Sequence, residues 1–310
     1  MLTNRKVLLS MIQQTESPIS LIKIQLLMFL TMQKSPTKHY WFIPTEKGPF
    51  SLVLEDDAIA MDKKGLLILE YPAQTIRINI GQYTEKMMPQ DEDRHLLNTI
   101  LEEYQTKDDQ ELLKIAITMN PFYGIHLPSD KLSLLDSHTQ SEVGTIQESI
   151  KDAPRALYTI GYEKITLDEF ILFLLAQGIQ TVIDVRETTT SRRREFSKAP
   201  LERALTKVTI GYISIPELGI PTEIRNKILK TGNHQDLLRW YRTNEEHKNR
   251  KYTSEVANLV SKGNTALMCY EKDHNECHRS IFAQLCKERN PEIPAIVHLR
   301  DDEKAMPETV

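Results

Sequence analysis

Apolar residues recur at helical spacing early in the chain, where Ile22, Ile24, Leu26, Leu27 and Leu30 predict a buried helix with Ser20 in place to cap it. His39 to Ile43 reads as a short aromatic strand. Phe50 to Lys64 reads as a helix that Gly65 stops in a left-handed cap. Leu66 to Glu70 and Thr75 to Ile80 alternate as the two arms of a hairpin. Helical segments follow at Arg94 to Tyr104 and Glu111 to Met119. Residues 128–152 are polar and only weakly periodic.

The pattern then changes. Ala156 to Ile160 predicts a strand, and Thr166 with Glu169 a capping box opening a helix that Gly178 ends. Thr181 to Val185 is a nearly all-apolar strand. Strand, helix and strand at this spacing make a βαβ unit with strands buried on both faces. Further strands are expected at Ile210 to Ile215, Thr265 to Cys269 and Ala295 to Leu299. Helices are expected at Leu237 to Tyr241, Tyr252 to Val260 and Cys277 to Lys287. The fold class is therefore α/β, a mostly parallel sheet with helices on both faces, preceded by a winged-helix-like domain and a helical connector. The segments are 1–85, 86–157 and 158–310.

A chain of 310 residues has the length of two domains, and 40% hydrophobic with 26% charged residues is a globular composition. No apolar run reaches the roughly 20 residues that span a bilayer, and the N-terminus lacks the succession of a signal peptide, so a cytoplasmic protein without membrane contact is expected. The three cysteines, Cys269, Cys277 and Cys286, fall in one late segment, unlike a disulfide framework. A net charge of −4 creates no global attraction for nucleic acid. Between Arg192 and Lys207, however, six Lys or Arg face two Glu, a local patch suited to an anion.

Ligands of open α/β sheets bind outside the C-terminal ends of the strands. Asp184 and Arg186 leave one such end; Cys269 and Glu271 leave another. Cys277, His278 and Arg279 open the helix that follows. Asp184 and Glu271 are candidate catalytic carboxylates, as in glycosidic-bond cleavage. Cys269 is a candidate nucleophile whose pKa nearby arginines would lower. Arg186, Arg192 and Arg279, with Cys277 and His278 at the helix start, are candidates for holding phosphate. Tyr162 and Tyr270 are candidates for stacking on a base, and Arg193, Arg194 and Lys198 for nucleic-acid backbone contact. Each has a structural alternative: Asp184 as ion-pair partner of Arg186 or Arg279, Cys269 as a core thiol, the arginine run as a solvated face. Cys269, His274, Cys277 and His278 match no compact zinc spacing, so no metal and no cofactor are expected.

The ordered segments Thr159-Ile160-Gly161-Tyr162, Asp184-Val185-Arg186, Ser191-Arg192 with Phe196-Ser197, Glu217-Leu218-Gly219, and Cys269-Tyr270-Glu271-Lys272 with Cys277-His278-Arg279-Ser280 resemble the domain-of-unknown-function family numbered 488. The resemblance implies an α/β fold and an intracellular prokaryotic protein, without naming a reaction. Two positions depart from the family pattern. Thr189 stands where members commonly carry proline, and Ile220 followed by Pro221 where they carry a second glycine. The strand-end cysteine also loosely resembles rhodanese-like sulfurtransferases, although the loop after it is longer. The aromatic strand, the Gly48-Pro49-Phe50-Ser51 segment and the Gly65-Leu66-Leu67 exit resemble the winged helices of prokaryotic regulatory and toxin-antitoxin-associated proteins. Residues 1–85 carry nine basic against eight acidic residues, which is no dense phosphate-binding surface.

The expected function is a nucleotide- or nucleic-acid-processing enzyme, with hydrolysis of a base–sugar bond on DNA as the specific reaction and nucleotide, nucleic acid or a protein docked through the N-terminal domain as partners. The alternatives are a noncatalytic regulatory or defence-associated DNA- or protein-binding module and a thiol-dependent transferase using Cys269.

Overall fold

A computed structural model describes residues 2–70, 75–78, 89–245 and 250–300. The chain divides into two compact units, residues 1–147 and 148–310. None of the described helices is long and apolar enough to cross a membrane.

The first unit opens with α1 (Thr3–Gln14), β1 (Ile19–Ser20) and α2 (Leu21–Lys34). α2 is buried almost all round, and its first turn is capped as expected, Lys23 N–H donating to Ser20 Oγ at 2.9 Å. β2 (Ile43–Thr45) and β3 (Gly48–Phe50) form a hairpin, followed by α3 (Leu52–Asp62), β4 (Leu67–Glu70) and β5 (Thr75–Ile78). β1, β5 and β4 make an antiparallel sheet in that order, and Gly65 has the left-handed φ of +65° expected of it. The aromatic strand begins only at Ile43. Tyr40 and Phe42 instead send their side chains into the core, Tyr40 donating to Asp57 at 3.0 Å and Phe42 meeting Phe29 edge-on. The last part of the expected hairpin, residues 79–80, lies outside the described residues.

α4 (Asp91–Tyr104) and α5 (Asp109–Met119) pack against α2. α6 (Ser129–Leu132) and α7 (Ser137–Lys151) follow. The stretch expected at 86–157 as a connector is thus shared out: its described residues through Gln147 belong to the first unit. The apolar faces of α4 and α5, Leu97, Ile100, Leu112 and Ile117, are wholly buried, which a connector would leave exposed.

The second unit is built on a five-stranded parallel sheet: β6 (Leu157–Gly161), β7 (Ile179–Asp184), β8 (Gly211–Ser214), β9 (Asn264–Cys269) and β10 (Ile296–His298), in the order β10-β6-β9-β7-β8. Between the strands run α8 (Leu167–Ala176), α9 (Lys198–Thr206), α10 (Thr222–Thr231), α11 (His234–Glu245), α12 (Arg250–Lys262) and α13 (His278–Arg289). Thr166 and Glu169 form the reciprocal capping box of α8, and Gly178 ends it at φ +59°. The sequence pattern did not mark α10, whose apolar residues Ile224, Ile228 and Leu229 are few and follow a proline.

β6 and β9 are neighbours whose chains cross over in opposite directions, one to β7 and the other to β10. Right-handed crossovers then place α8 and α13 on opposite faces, and the loops after β6 and β9 open a crevice between them. The α13 face packs Phe282, Ala283 and Cys286 with Val256, Tyr241, Ile183 and Leu267.

Candidate functional site

A cleft of about 410 Å³ lies at the C-terminal ends of β6, β7 and β9. Of the residues expected at the site, Tyr162, Arg186, Arg192, Arg193, Cys269, Tyr270, Glu271 and His278 line it. Asp184, Arg194, Lys198, Cys277 and Arg279 do not. The lining places their roles in a different order from the expected one.

Asp184 is wholly buried, and Arg186 grips it at both oxygens, Nε to Oδ1 at 2.8 Å and Nη2 to Oδ2 at 2.6 Å. Tyr212 donates to the same carboxylate at 2.7 Å. A carboxylate enclosed in this way reaches no substrate, so the catalytic role expected for Asp184 gives way to its ion-pair alternative. Arg186 is committed as well, donating also to Tyr162 Oη at 2.7 Å and Phe196 O at 2.9 Å. Burial works against its charge, but Asp184 outweighs burial and raises its pKa. Its expected phosphate-binding fork is spent on the protein itself.

Arg279 was expected to hold phosphate, yet it is fully buried and donates to the carbonyls of Glu271 at 2.7 Å and Lys272 at 3.1 Å. It fixes the loop after β9. Arg193 likewise clamps a loop, donating to Glu195 and to the Tyr162 carbonyl at 3.1 Å, which leaves it little capacity for a nucleic-acid backbone. Arg194 and Lys198 are exposed outside the cleft. Tyr162 is 3% exposed with its ring stacked on Phe196, so no base can cover that face; Tyr270, 46% exposed, is the aromatic side chain that a planar ligand can reach.

The cations that remain for an anionic ligand are Arg192, which is exposed, and Arg225 on α10. Arg225 was missed in the sequence because its helix was. Its Nε is buried without a hydrogen-bond partner. Ser191 and Ser197 shape the loop carrying Arg192, Ser191 N–H donating to Ser197 Oγ at 3.0 Å. The two departures from the family pattern border this region: the Thr189 carbonyl accepts from Lys198 N–H, and Ile220 is buried in the core.

The reactive groups gather at the floor of the cleft, Cys269, Glu271 and His278 lining it and Cys277 buried behind them. The thiols of Cys269 and Cys277 both donate to Glu271 Oε2, at 3.2 and 3.1 Å, and Cys269 Sγ lies 4.0 Å from His278 Nδ1. His278 Nε2 lies 3.0 Å from the Val185 carbonyl. A carbonyl only accepts, so Nε2 carries a proton, and Nδ1 is the ring nitrogen that faces the sulfurs. All four residues occur in the motif Cys269-Tyr270-Glu271 and Cys277-His278, brought together because the chain leaves β9 and re-enters α13 at the same end of the sheet.

Their ionisation is mutually coupled. Hydrogen bonding to Cys277, then burial, pushes the Cys269 thiol well above the ordinary range, opposite to the expectation that arginines would activate it. Burial opposes ionisation of Cys277 too, but hydrogen bonds from Cys269 and His278 outweigh it and hold this thiol well below the ordinary value. Burial, and then the neighbouring Cys277, raises the Glu271 carboxyl, and Cys277 raises His278 against its burial. Cys286, in the core away from these groups, is pushed up by burial.

Residues 166–286, less than half of the chain, match the family model described as Domain of unknown function DUF488. The matched stretch begins after the Thr159-to-Tyr162 segment that carries part of the resemblance. No curated protein and no solved structure matches the chain.

Proposed function

We propose that the second unit is an enzyme acting on a phosphate-bearing nucleotide or nucleic-acid substrate, with Arg192 and Arg225 holding the anion, Tyr270 meeting the base, and the Cys269–Cys277–His278–Glu271 cluster performing the chemistry. One observation carries this reading: a thiol, an imidazole and a carboxylate, Cys269, His278 and Glu271, line the floor of an arginine-bearing cleft with the Cys277 thiol packed behind them, at the strand ends where α/β sheets bind ligands. Cleavage of a base–sugar bond remains the specific form proposed, with Glu271, of the two candidate carboxylates, the one that lines the cleft. A screen of nucleosides, nucleotides and modified DNA with the full chain tests it. Turnover by the wild type that is lost in E271Q is the expected result. No binding and no turnover in any class, or an E271Q variant as active as the wild type, overturns it.

For the first unit we propose a winged-helix-like docking module that engages protein rather than DNA. α3, which follows one hairpin and precedes the other, carries Glu55, Asp56 and Asp62 besides the buried Asp57 that pairs with Arg5, and no Lys or Arg. A helix of that charge is repelled by phosphate.

A further inference from the structure

We propose that Cys269, Cys277 and His278 bind a soft divalent metal ion, zinc by the chemistry of the donors, leaving a fourth coordination position toward the cleft.

The donor atoms, two sulfurs and one imidazole nitrogen, all lie within 4.8 Å of one another. Tetrahedral zinc, with Zn–S near 2.3 Å and Zn–N near 2.1 Å, sets a sulfur and a nitrogen ligand roughly 3.6 Å apart. The 4.0 Å between Cys269 Sγ and His278 Nδ1 is a few tenths from that separation. Adjacent residues ordinarily direct their side chains apart, which is why the Cys277-His278 pair reads poorly as a ligand pair in sequence. Here Cys277 is extended, at φ −132° and ψ 134°, while His278 begins α13, and the change of backbone at that joint brings both side chains to one point. His274, the other histidine of the segment, instead stacks on His298.

The surroundings are those of a prepared site. Metal-binding histidines donate their second ring N–H to a carbonyl or carboxylate, which fixes the tautomer; His278 Nε2 does so to Val185 O at 3.0 Å. The loop between the two cysteines is pinned from both sides, by Arg279 on the carbonyls of Glu271 and Lys272 and by Tyr162 N–H on the Cys269 carbonyl at 3.2 Å. The three ligand residues are 2%, 2% and 3% exposed, so water competes weakly for the donors. Three protein ligands with an open fourth position is the pattern of catalytic zinc, whereas structural sites use four. Cys269, Glu271 and His278 line the cleft, which puts the open position on the substrate side. Glu271, in contact with both sulfurs, is then a carboxylate beside the metal, placed to take a proton from a bound water.

This inference rests on the cluster and not on the substrate, so its readout is kept apart from turnover. Full-length protein purified without chelator is analysed for zinc, then stripped and titrated with Co²⁺. About one metal per chain and an intense near-ultraviolet sulfur-to-cobalt charge-transfer band are expected. C277S halves that band, H278A weakens retention by about 10- to 1,000-fold, and C286A leaves metal content unchanged. Should C277S fail to fold, the wild-type cobalt spectrum still decides. A wild type that takes up neither ion at micromolar concentration, or cobalt bound without a charge-transfer band, overturns the site. Failure to bind either ion alongside turnover would sink the site and spare the proposed function; bound zinc without turnover of any nucleotide would do the reverse.

Discussion

Arg186 closes a two-point ion pair on Asp184 only two residues before it in the chain, with the carboxylate fully buried and the guanidinium nearly so. Breaking such a pair leaves the other charge buried without a partner, at a cost of about 3–5 kcal/mol. D184N is therefore expected to lower unfolding stability by that amount in denaturant titration, and to shift the Arg192 loop through the lost hold of Arg186 on the Phe196 carbonyl. Replacing both residues, as in D184L/R186M, should cost less than the sum of the two single changes. A D184N variant as stable as the wild type would mean that Asp184 is not held by this pair.

Gly161 lies under the loop that carries Glu271. A Cβ built there would sit 1.7 Å from the Glu271 carbonyl oxygen, a backbone atom that cannot swing aside. G161A is expected to cost about 1–3 kcal/mol by overpacking and, more tellingly, to displace the Glu271 backbone and loosen the contact of its carboxylate with both thiols. Gly219 has the same constraint against Glu187, its Cβ falling 2.0 Å from the Glu187 nitrogen. Comparison of G161A with G144A, where a Cβ meets nothing within 4 Å, separates steric displacement from loss of a glycine. Equal stability of the two variants would refute the close approach.

These glycines show what the sequence made legible. Gly161 and Gly219 belong to motifs that carry the family resemblance, and the capping box at Thr166 and the β9–α13 segment are local patterns read directly. The sheet followed from them. Asp184, Arg186 and Arg279 are present in the same motifs, but whether a charged side chain faces solvent or folds back on its own backbone depends on contacts distant in sequence: Asp184 meets Tyr212, and Arg186 meets Tyr162. Residue type alone made them binding groups. Arg225 was hidden because α10 has too few apolar positions to signal a helix. The approach of Cys277 and His278 to Cys269 needed the turn of the backbone at the α13 N-terminus, which no spacing rule contains.

Arg192 and Arg225 are the cleft cations not bound up in loop clamps, and each should contribute a charge-assisted contact to a phosphate. R192A and R225A are each expected to weaken nucleotide binding by about 10- to 100-fold, since a hydrogen bond to a charged group contributes roughly 1.5–3 kcal/mol. For a nucleic acid, each should also lower the slope of log K against log salt by about one. R194A, outside the cleft, serves as control and should change little. Isothermal titration at several salt concentrations reads all three; R225A binding like the wild type would remove α10 from the site.

His298 is expected to make the second unit sensitive to mild acid. Burial, then the positive charges of His274 and Arg279, lowers its pKa to about 4, and its Nδ1 lies 2.8 Å from Thr159 Oγ1. In the unfolded chain a histidine takes up its proton near pH 6.5. Between about pH 6.5 and 4 the unfolded state therefore binds more protons than the folded one, and stability rises with pH across that window. The contribution is fully present above pH 6.5 and is lost as the pH falls toward 4. Denaturant titrations at half-unit steps of pH should show the wild type losing stability on this limb, with H298N, which keeps a polar side chain but does not titrate, losing less. Partial exposure of the ring makes the effect smaller than the full shift implies. Parallel curves for the two proteins between pH 6.5 and 4 would show that the imidazole is not held neutral by its neighbours.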